Sequence, residues 1–341
     1  MFRAVIIGTG RIGSLLEKDP LRPKPHSHAG WYRQHPRTIL VAGADVDADR
    51  RAEFGRDWGL PDAALFTDYR VMLDTVRPDI VSVCAWAPER VEMTMAALGA
   101  GARGLWLEKA VACSMGEAAR LEQAIAGAGA AAIVDHPRRG ASEFRAVKGI
   151  IDDGRLGALH TVHCLMSGCL MHTGTHAWDL LDYWCGPWCG AQAWLEAPVP
   201  PSGPIEDRGG HARIAFDHGV QAFVSAHRKD YFIFQFDLIF TQGRIQVGND
   251  VCRVYEPAPS TRYTGFVELA EAADFPLVAP YPYPMVFDLV HTMETGEEPA
   301  MSLRNATAAF RMGLALFQSD REAHRVVTPG DLDPEIRIVS R

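Results

Sequence analysis

One alternation, running through residues 2–135, constrains this chain more than anything else in it. Short apolar runs at Phe2–Ile7, Thr38–Ala44, Ile80–Ala85, Gly104–Leu107 and Ala131–Val134 are separated by helical patterns, among them Arg50–Trp58, Tyr69–Thr75, Arg90–Ala100 and Met115–Ala126. A short run that is apolar on both faces needs cover on both sides, and strands separated by helices pair in parallel. The alternation therefore predicts an α/β fold whose first domain, residues 1–135, is a doubly wound parallel sheet.

After residue 155 the period changes. Longer alternating stretches at Leu159–Met166, His211–Phe216, Val220–Ala226, Phe232–Phe240 and Arg244–Val247 are joined by turn signals at Asp217-His218-Gly219 and Gln242-Gly243. Successive hairpins imply an antiparallel or mixed sheet in a second domain, residues 136–341. A final helix is expected near Leu303–Ala323, before Pro329, and it can pack back on the first domain. The length, 341 residues, also favours two domains over one. Pro20, Pro23 and Pro25 cannot continue a helix, so the first helix should be broken by an insertion of roughly ten residues within Leu16–His28.

The net charge of -8 argues against a nucleic-acid partner, since phosphate binding needs a basic face. No apolar run reaches membrane-spanning length, and the short one at the start lacks a signal-peptide pattern, so a cytoplasmic enzyme with no membrane partner is expected. The seven cysteines have no framework spacing, and Cys185 and Cys189 form a lone pair with three residues between them, which suits free thiols.

Gly8-Thr9-Gly10-Arg11-Ile12-Gly13 follows the first strand directly. Its first glycine permits a tight turn, its second lets backbone approach a pyrophosphate, and its third lets helix and strand pack closely. Asp45 closes the second strand, where a carboxylate accepts ribose hydroxyls and repels a 2′-phosphate. The pair predicts an NAD site; Arg50 and Arg51, expected on the next helix, keep NADP as a less favoured option.

Only five lysines occur, at 18, 24, 109, 148 and 229, and Lys109 stands at a strand end in Glu108-Lys109-Ala110. An amine there can bind a substrate hydroxyl and stabilise a developing alkoxide. Further on, a helix starting at Gly174 or Thr175 would carry His176 in its first turn and Asp179 one turn later, near His172. Imidazole and carboxylate suit proton transfer. His172 and His176 also have a metal-like spacing, but no H-E-x-x-H glutamate accompanies them, and no metal is expected. His136 and Arg138, just after the last parallel strand, can face substrate oxygens or only the domain boundary.

Together these residues resemble the glucose–fructose oxidoreductase, inositol dehydrogenase and rhizopine-catabolism family, Gfo/Idh/MocA. The resemblance runs through Gly8–Gly13, Asp45, Glu108-Lys109-Ala110, the Arg138-Arg139 region, Gly174–Asp179 and Val326–Pro329. It implies a Rossmann domain followed by an α/β domain with a large open sheet, and commonly a homodimer or homotetramer. It implies Lys109 as the catalytic, substrate-binding lysine and His176 as the general base. His172 would orient the substrate or His176, with His136, Arg138, Thr175 and Asp179 around the substrate and Ala85, Trp86, Glu108 and Lys109 at the cofactor. Hydride would pass between NAD and a secondary hydroxyl or keto group of a sugar, sugar derivative or cyclitol. The rivals are an NAD-dependent glycosidase or lyase using transient oxidation, and a non-catalytic NAD-binding regulator. Three positions depart from the family pattern: Ala110 replaces a proline, His172 an aspartate, and Cys84–Pro88 a Thr-Pro pair.

Overall fold

The structure, a computed structural model, describes residues 1–197, 205–228, 230–273 and 283–340. The described chain divides into two compact units. Residues 1–137 and 283–307 form the first; residues 138–273 and 308–340 form the second. Lys229 lies outside the described residues.

In the first unit, β1 (Phe2–Ile7), β2 (Thr38–Ala44), β3 (Leu65–Phe66), β4 (Ile80–Val83), β5 (Gly104–Leu107) and β6 (Ala131–Val134) form one parallel sheet in the order β3-β2-β1-β4-β5-β6. Every residue of β4 and β5 is buried, as strands covered on both faces must be. Helices α1 (His28–Gln34), α2 (Ala48–Trp58), α3 (Tyr69–Val76), α4 (Ala87–Gly99) and α5 (Met115–Ala128) intervene. Their starts are written locally. Asp47, Asp68 and Ser114 accept backbone N–H groups at the N-caps of α2, α3 and α5.

The expected helix break has a specific form. After Gly13 the chain makes a single turn and a short 3-10 helix, Leu15–Lys18, and then loops outward. Helix α1 resumes the interrupted ladder, with His28 N–H donating to the Ile12 carbonyl and Ala29 N–H to that of Gly13. Glu17 pins the loop by accepting from His26 N–H, Ser27 N–H and Ser27 Oγ at 2.8–2.9 Å.

The second unit holds α6 (Ser142–Asp153), β7 (Leu159–Ser167), α7 (Gly174–Cys185), β8 (Trp188–Leu195), β9 (Gly210–Phe216), β10 (Gln221–His227), β11 (Phe234–Phe240), β12 (Gly243–Gly248), β13 (Cys252–Pro259) and β14 (Val267–Glu271). The sheet order is β14-β13-β12-β11-β7-β10-β9-β8, antiparallel except where β10 pairs with β7. Burial alternates along the strands, leaving an open face with Leu165, Trp194 and Phe223 more than two-fifths exposed. The fold is thus α/β, a Rossmann-like sheet plus a mixed, mostly antiparallel one.

The segment that returns to the first unit is α8 (Met285–Thr295) with its flanks, whereas most of the last helix, α9 (Leu303–Arg321), belongs to the second. The reason is apolar. Met285, Val286, Leu289 and Val290 of α8 join the buried cluster of Ala4, Ile6, Ile80, Trp106 and Ile133. The Met301 carbonyl also accepts from Val134 N–H. Helix α8 is therefore an integral part of the Rossmann core, and Leu289→Ala should cost about 2–5 kcal/mol of stability, read as a lower urea midpoint with loss of dinucleotide protection.

Candidate active site

The parallel register fixes the first half of the site. Ile7 pairs with both Ala44 and Val83, and Val83 with Leu107, which pairs with Val134. The residues just beyond these strands, Gly8, Asp45, Cys84, Glu108 and Asp135, therefore emerge along one edge, the carboxyl edge where open α/β sheets bind ligands.

The glycine loop is built for close approach. Gly8 has φ +90°, and a Cβ there would stand 2.9 Å from the Cys84 carbonyl oxygen. A Cβ on Gly13 would stand 2.2 Å from the Gly8 oxygen. At Gly10 the nearest atom to a Cβ would be Arg50 Nη1, 3.8 Å away, so this glycine leaves open space where a phosphate can approach. Asp45, 9% exposed, accepts from Thr9 N–H at 2.9 Å and Thr9 Oγ1 at 3.3 Å, and from Asp47 N–H at 3.0 Å. A carboxylate offers about four acceptor positions, so one remains for a ribose hydroxyl. Arg51, on α2 as expected, is committed to the Asp45 carbonyl at 2.7 Å. These residues fit a nicotinamide dinucleotide.

Trp86 caps α4 and is 40% exposed. Ala85 is held from behind by Arg90, whose buried guanidinium donates to the carbonyls of Ala85 and Ala110. Arg90 thus ties the loop after β4 to the Glu108-Lys109-Ala110 segment, a role its place inside a helical pattern did not reveal. Lys109 is half-buried, and its bond to Ala110 is cis. Glu108 is buried, and despite burial its contacts with His28 and Asp135, with the charge of Lys109, hold its carboxyl down at about 2. Ser82 and His28 also escaped sequence reasoning. His28 stacks on Trp106 at 3.8 Å, and its Nδ1 lies 2.8 Å from Ser82 Oγ. His136 is buried at 3% exposure.

In the second unit, helix α7 starts at Gly174 and carries half-buried His176 in its first turn. His172, just before it, is exposed, and its backbone N–H donates to Asp207 at 2.7 Å. Thr175 is buried. Arg138 donates to Asn249 and covers the Phe234 ring at 4.2 Å. Asp179, expected at the substrate, faces inward at 1% exposure. Arg139 Nε donates to it at 2.9 Å and Arg139 Nη2 to Asp182 at 3.0 Å. Its carboxylate holds α7 to the segment after Pro137. Among the described residues, the three-residue group with metal-ligand geometry is His28, Glu108 and Asp135, and it does not include His172 or His176.

Residues 2–136 match the family described as an oxidoreductase family with an NAD-binding Rossmann fold. This first domain is similar to the Gfo/Idh/MocA oxidoreductases. Inositol 2-dehydrogenase of Pseudomonas savastanoi pv. phaseolicola is 27% identical over 160 residues, 47% of this chain and 44% of that protein. Inositol 2-dehydrogenase 3 of Saccharopolyspora erythraea is 28% identical over 164 residues, 48% of this chain and 44% of that protein. The matched stretch therefore spans less than half the length of these curated relatives. Among solved structures, levoglucosan dehydrogenase in complex with NADH and L-sorbose superposes with a TM-score of 0.77 at 18% identity, covering 96% of this chain and 98% of that one. The WlbA dehydrogenase from Bordetella pertussis, in complex with NADH and UDP-GlcNAcA, gives 0.76 at 18% identity, with 96% and 98% covered. These similarities establish the fold of the whole described chain and the NAD-binding class of its first domain. No helix of the described residues is long and apolar enough to cross a membrane.

Burial pushes the Asp179 carboxyl up from 3.8 to about 7, outweighing the opposing charge of Arg139. Between these two values the folded chain holds a proton that the unfolded chain has released. The stability this group contributes is therefore present in full below the unfolded value and is lost as pH rises through about 7, with a slope of at most about 1.4 kcal/mol per pH unit. Urea unfolding across that window should show a shallower pH slope for Asp179→Asn than for the unmodified chain.

Proposed function

We propose that the protein is an NAD-dependent dehydrogenase acting on a secondary hydroxyl, or the corresponding ketone, of a sugar, sugar derivative or cyclitol. The observation that carries this reading is the set of groups along one sheet edge: an open glycine loop, the Asp45 carboxylate with one acceptor position to spare, and half-buried Lys109. The inositol, levoglucosan and nucleotide-sugar relatives support a polyol-like substrate.

Bound NAD supplies the hydride acceptor. Asp45 receives a ribose hydroxyl, and the loop at Gly8–Gly13 packs against the pyrophosphate with backbone N–H groups. Lys109 donates a hydrogen bond to the substrate oxygen and stabilises its alkoxide character as the carbon loses hydride. His176 takes the hydroxyl proton as general base. His172, exposed before α7, and His136 and Thr175 shape the substrate's surroundings. The open face of the second sheet, with Leu165, Trp194 and Phe223, supports assembly as a homo-oligomer.

Reduced-nicotinamide absorbance during a screen of cyclitols and sugars with NAD tests the reading. Turnover should appear with at least one polyol, and Lys109→Ala and His176→Ala should each lower kcat by about 10²–10⁴-fold. Unchanged rates in both variants would remove these assignments. In a separate titration, Asp45→Ser should weaken NAD by about tenfold or more, through lost charge-assisted bonds of about 1.5–3 kcal/mol, and narrow the preference over NADP.

A further inference from the structure

We propose that His28, Glu108 and Asp135 form a binding site for a divalent transition-metal ion of the zinc class, inside the first unit and independent of the dehydrogenase reading. The ligating atoms of the three side chains lie within 4.8 Å of one another. His28 and Glu108 are 1% and 8% exposed, yet His28 Nε2 and Glu108 Oε1 have no hydrogen-bond partner. Those two atoms are 3.4 Å apart. Two ligands about 2.0–2.1 Å from one tetrahedral ion stand about 3.3–3.4 Å apart, so the observed separation is the one an ion would impose.

The surroundings have the character of a metal site. The Ser82 hydroxyl, 2.8 Å from His28 Nδ1, is itself 2.7 Å from Tyr32 Oη, which gives the ring an outer partner, and Trp106 stacks on its face. Glu108 and Asp135 bring two carboxylates into contact, of which Lys109 offsets one charge. Two carboxyl groups beside an imidazole are donor types that a zinc-class ion takes. An entry path exists, because His28 and Asp135 both line a cavity bounded by Ile12, His26, Trp106 and Tyr283. Asp135 is half-buried and lines that cavity. The proline-rich insertion delivers His28 to this place, which gives that segment a function.

The test titrates chelator-treated full-length protein with Zn²⁺ and, separately, with Co²⁺. It uses a His211→Ala background, because His211 and His227 on the second sheet hold their Nε2 atoms 3.1 Å apart and could bind metal themselves. One equivalent of Zn²⁺ per chain is expected, and the Co²⁺ form should show the intense visible absorption of a four-coordinate site. His28→Gln should abolish both signals. Ser82→Ala, which keeps all three ligands, should weaken binding about ten- to a hundred-fold. The unmutated ligand set carries the Co²⁺ readout even if His28→Gln fails to fold. Only substoichiometric metal, a Co²⁺ spectrum of the hexa-aquo type, or binding indifferent to Ser82→Ala would overturn the proposal. NAD binding, followed by fluorescence in the same samples, separates this outcome from failure of the dehydrogenase reading.

Discussion

The hydrogen bonds from Thr9 to the Asp45 carboxylate hold the first unit's site together. Thr9 belongs to the glycine loop and Asp45 ends the neighbouring strand, so one buried carboxylate fixes the loop against the sheet edge. A charge-assisted bond to a backbone N–H is worth roughly twice a neutral one, and here it is shielded from solvent. The same carboxylate accepts from Asp47 N–H, which sets the turn leading into α2 and places Arg50 and Arg51. Cofactor recognition and local folding are therefore functions of one side chain. Replacing it would perturb the loop's shape as well as its affinity.

Much of the first unit was legible because its physics is local. Four-residue strands such as Ile80–Val83 and Gly104–Leu107 are apolar apart from Ser82, and both faces are buried. Pro20, Pro23 and Pro25 announced a helix break, although not that α1 would resume on the carbonyls of Ile12 and Gly13. The glycine loop and Asp45 were legible together because each needs the other's strand. Elements that depend on tertiary support were missed. Strand β3 has two residues, β8 is rich in small residues, and β13 carries Pro257 and Pro259, which weakens its strand pattern. Helix α8 follows a proline-rich stretch, and its partners lie in strands some 150 to 280 residues earlier, so its return to the Rossmann core has no local signature.

The candidate site divides along the same line. Lys109 stood out because lysine is scarce and its strand-end position is readable. Arg90, Ser82 and His28 did not, because each acts through residues distant in sequence. His28 meets Ser82 and Glu108 only after the insertion has folded back, and Arg90 meets the Ala110 carbonyl only once β4 and β5 pair. The Asp179–Arg139 pair was not legible for the same reason: the spacing of Asp179 from His176 is local, whereas Arg139 stands 40 positions earlier.

The two units treat buried carboxylates differently, and that difference is chemically informative. In the second, Arg139 bonds both Asp179 and Asp182, and its own guanidinium is 7% exposed. One fixed cation serves two acids, so the cluster is nearly balanced without any added ion, and Asp179 meets the remaining deficit by taking up a proton near neutral pH. Breaking such a buried pair typically costs about 3–5 kcal/mol, which explains why these acids face the interior. In the first unit the nearby buried guanidinium, Arg90, gives its hydrogen bonds to the Ala85 and Ala110 carbonyls and reaches Glu108 only through its charge; the contacts of Glu108 are an imidazole and a second carboxyl group, with the amine of Lys109 nearby. Glu108 nevertheless stays ionised. An ionised acid beside an imidazole that burial keeps neutral leaves a standing negative potential at the sheet edge. That potential favours the protonated amine of Lys109 and favours cations in the adjoining cavity. Both are properties of a site that works on ligands, and neither is needed to hold a fold together.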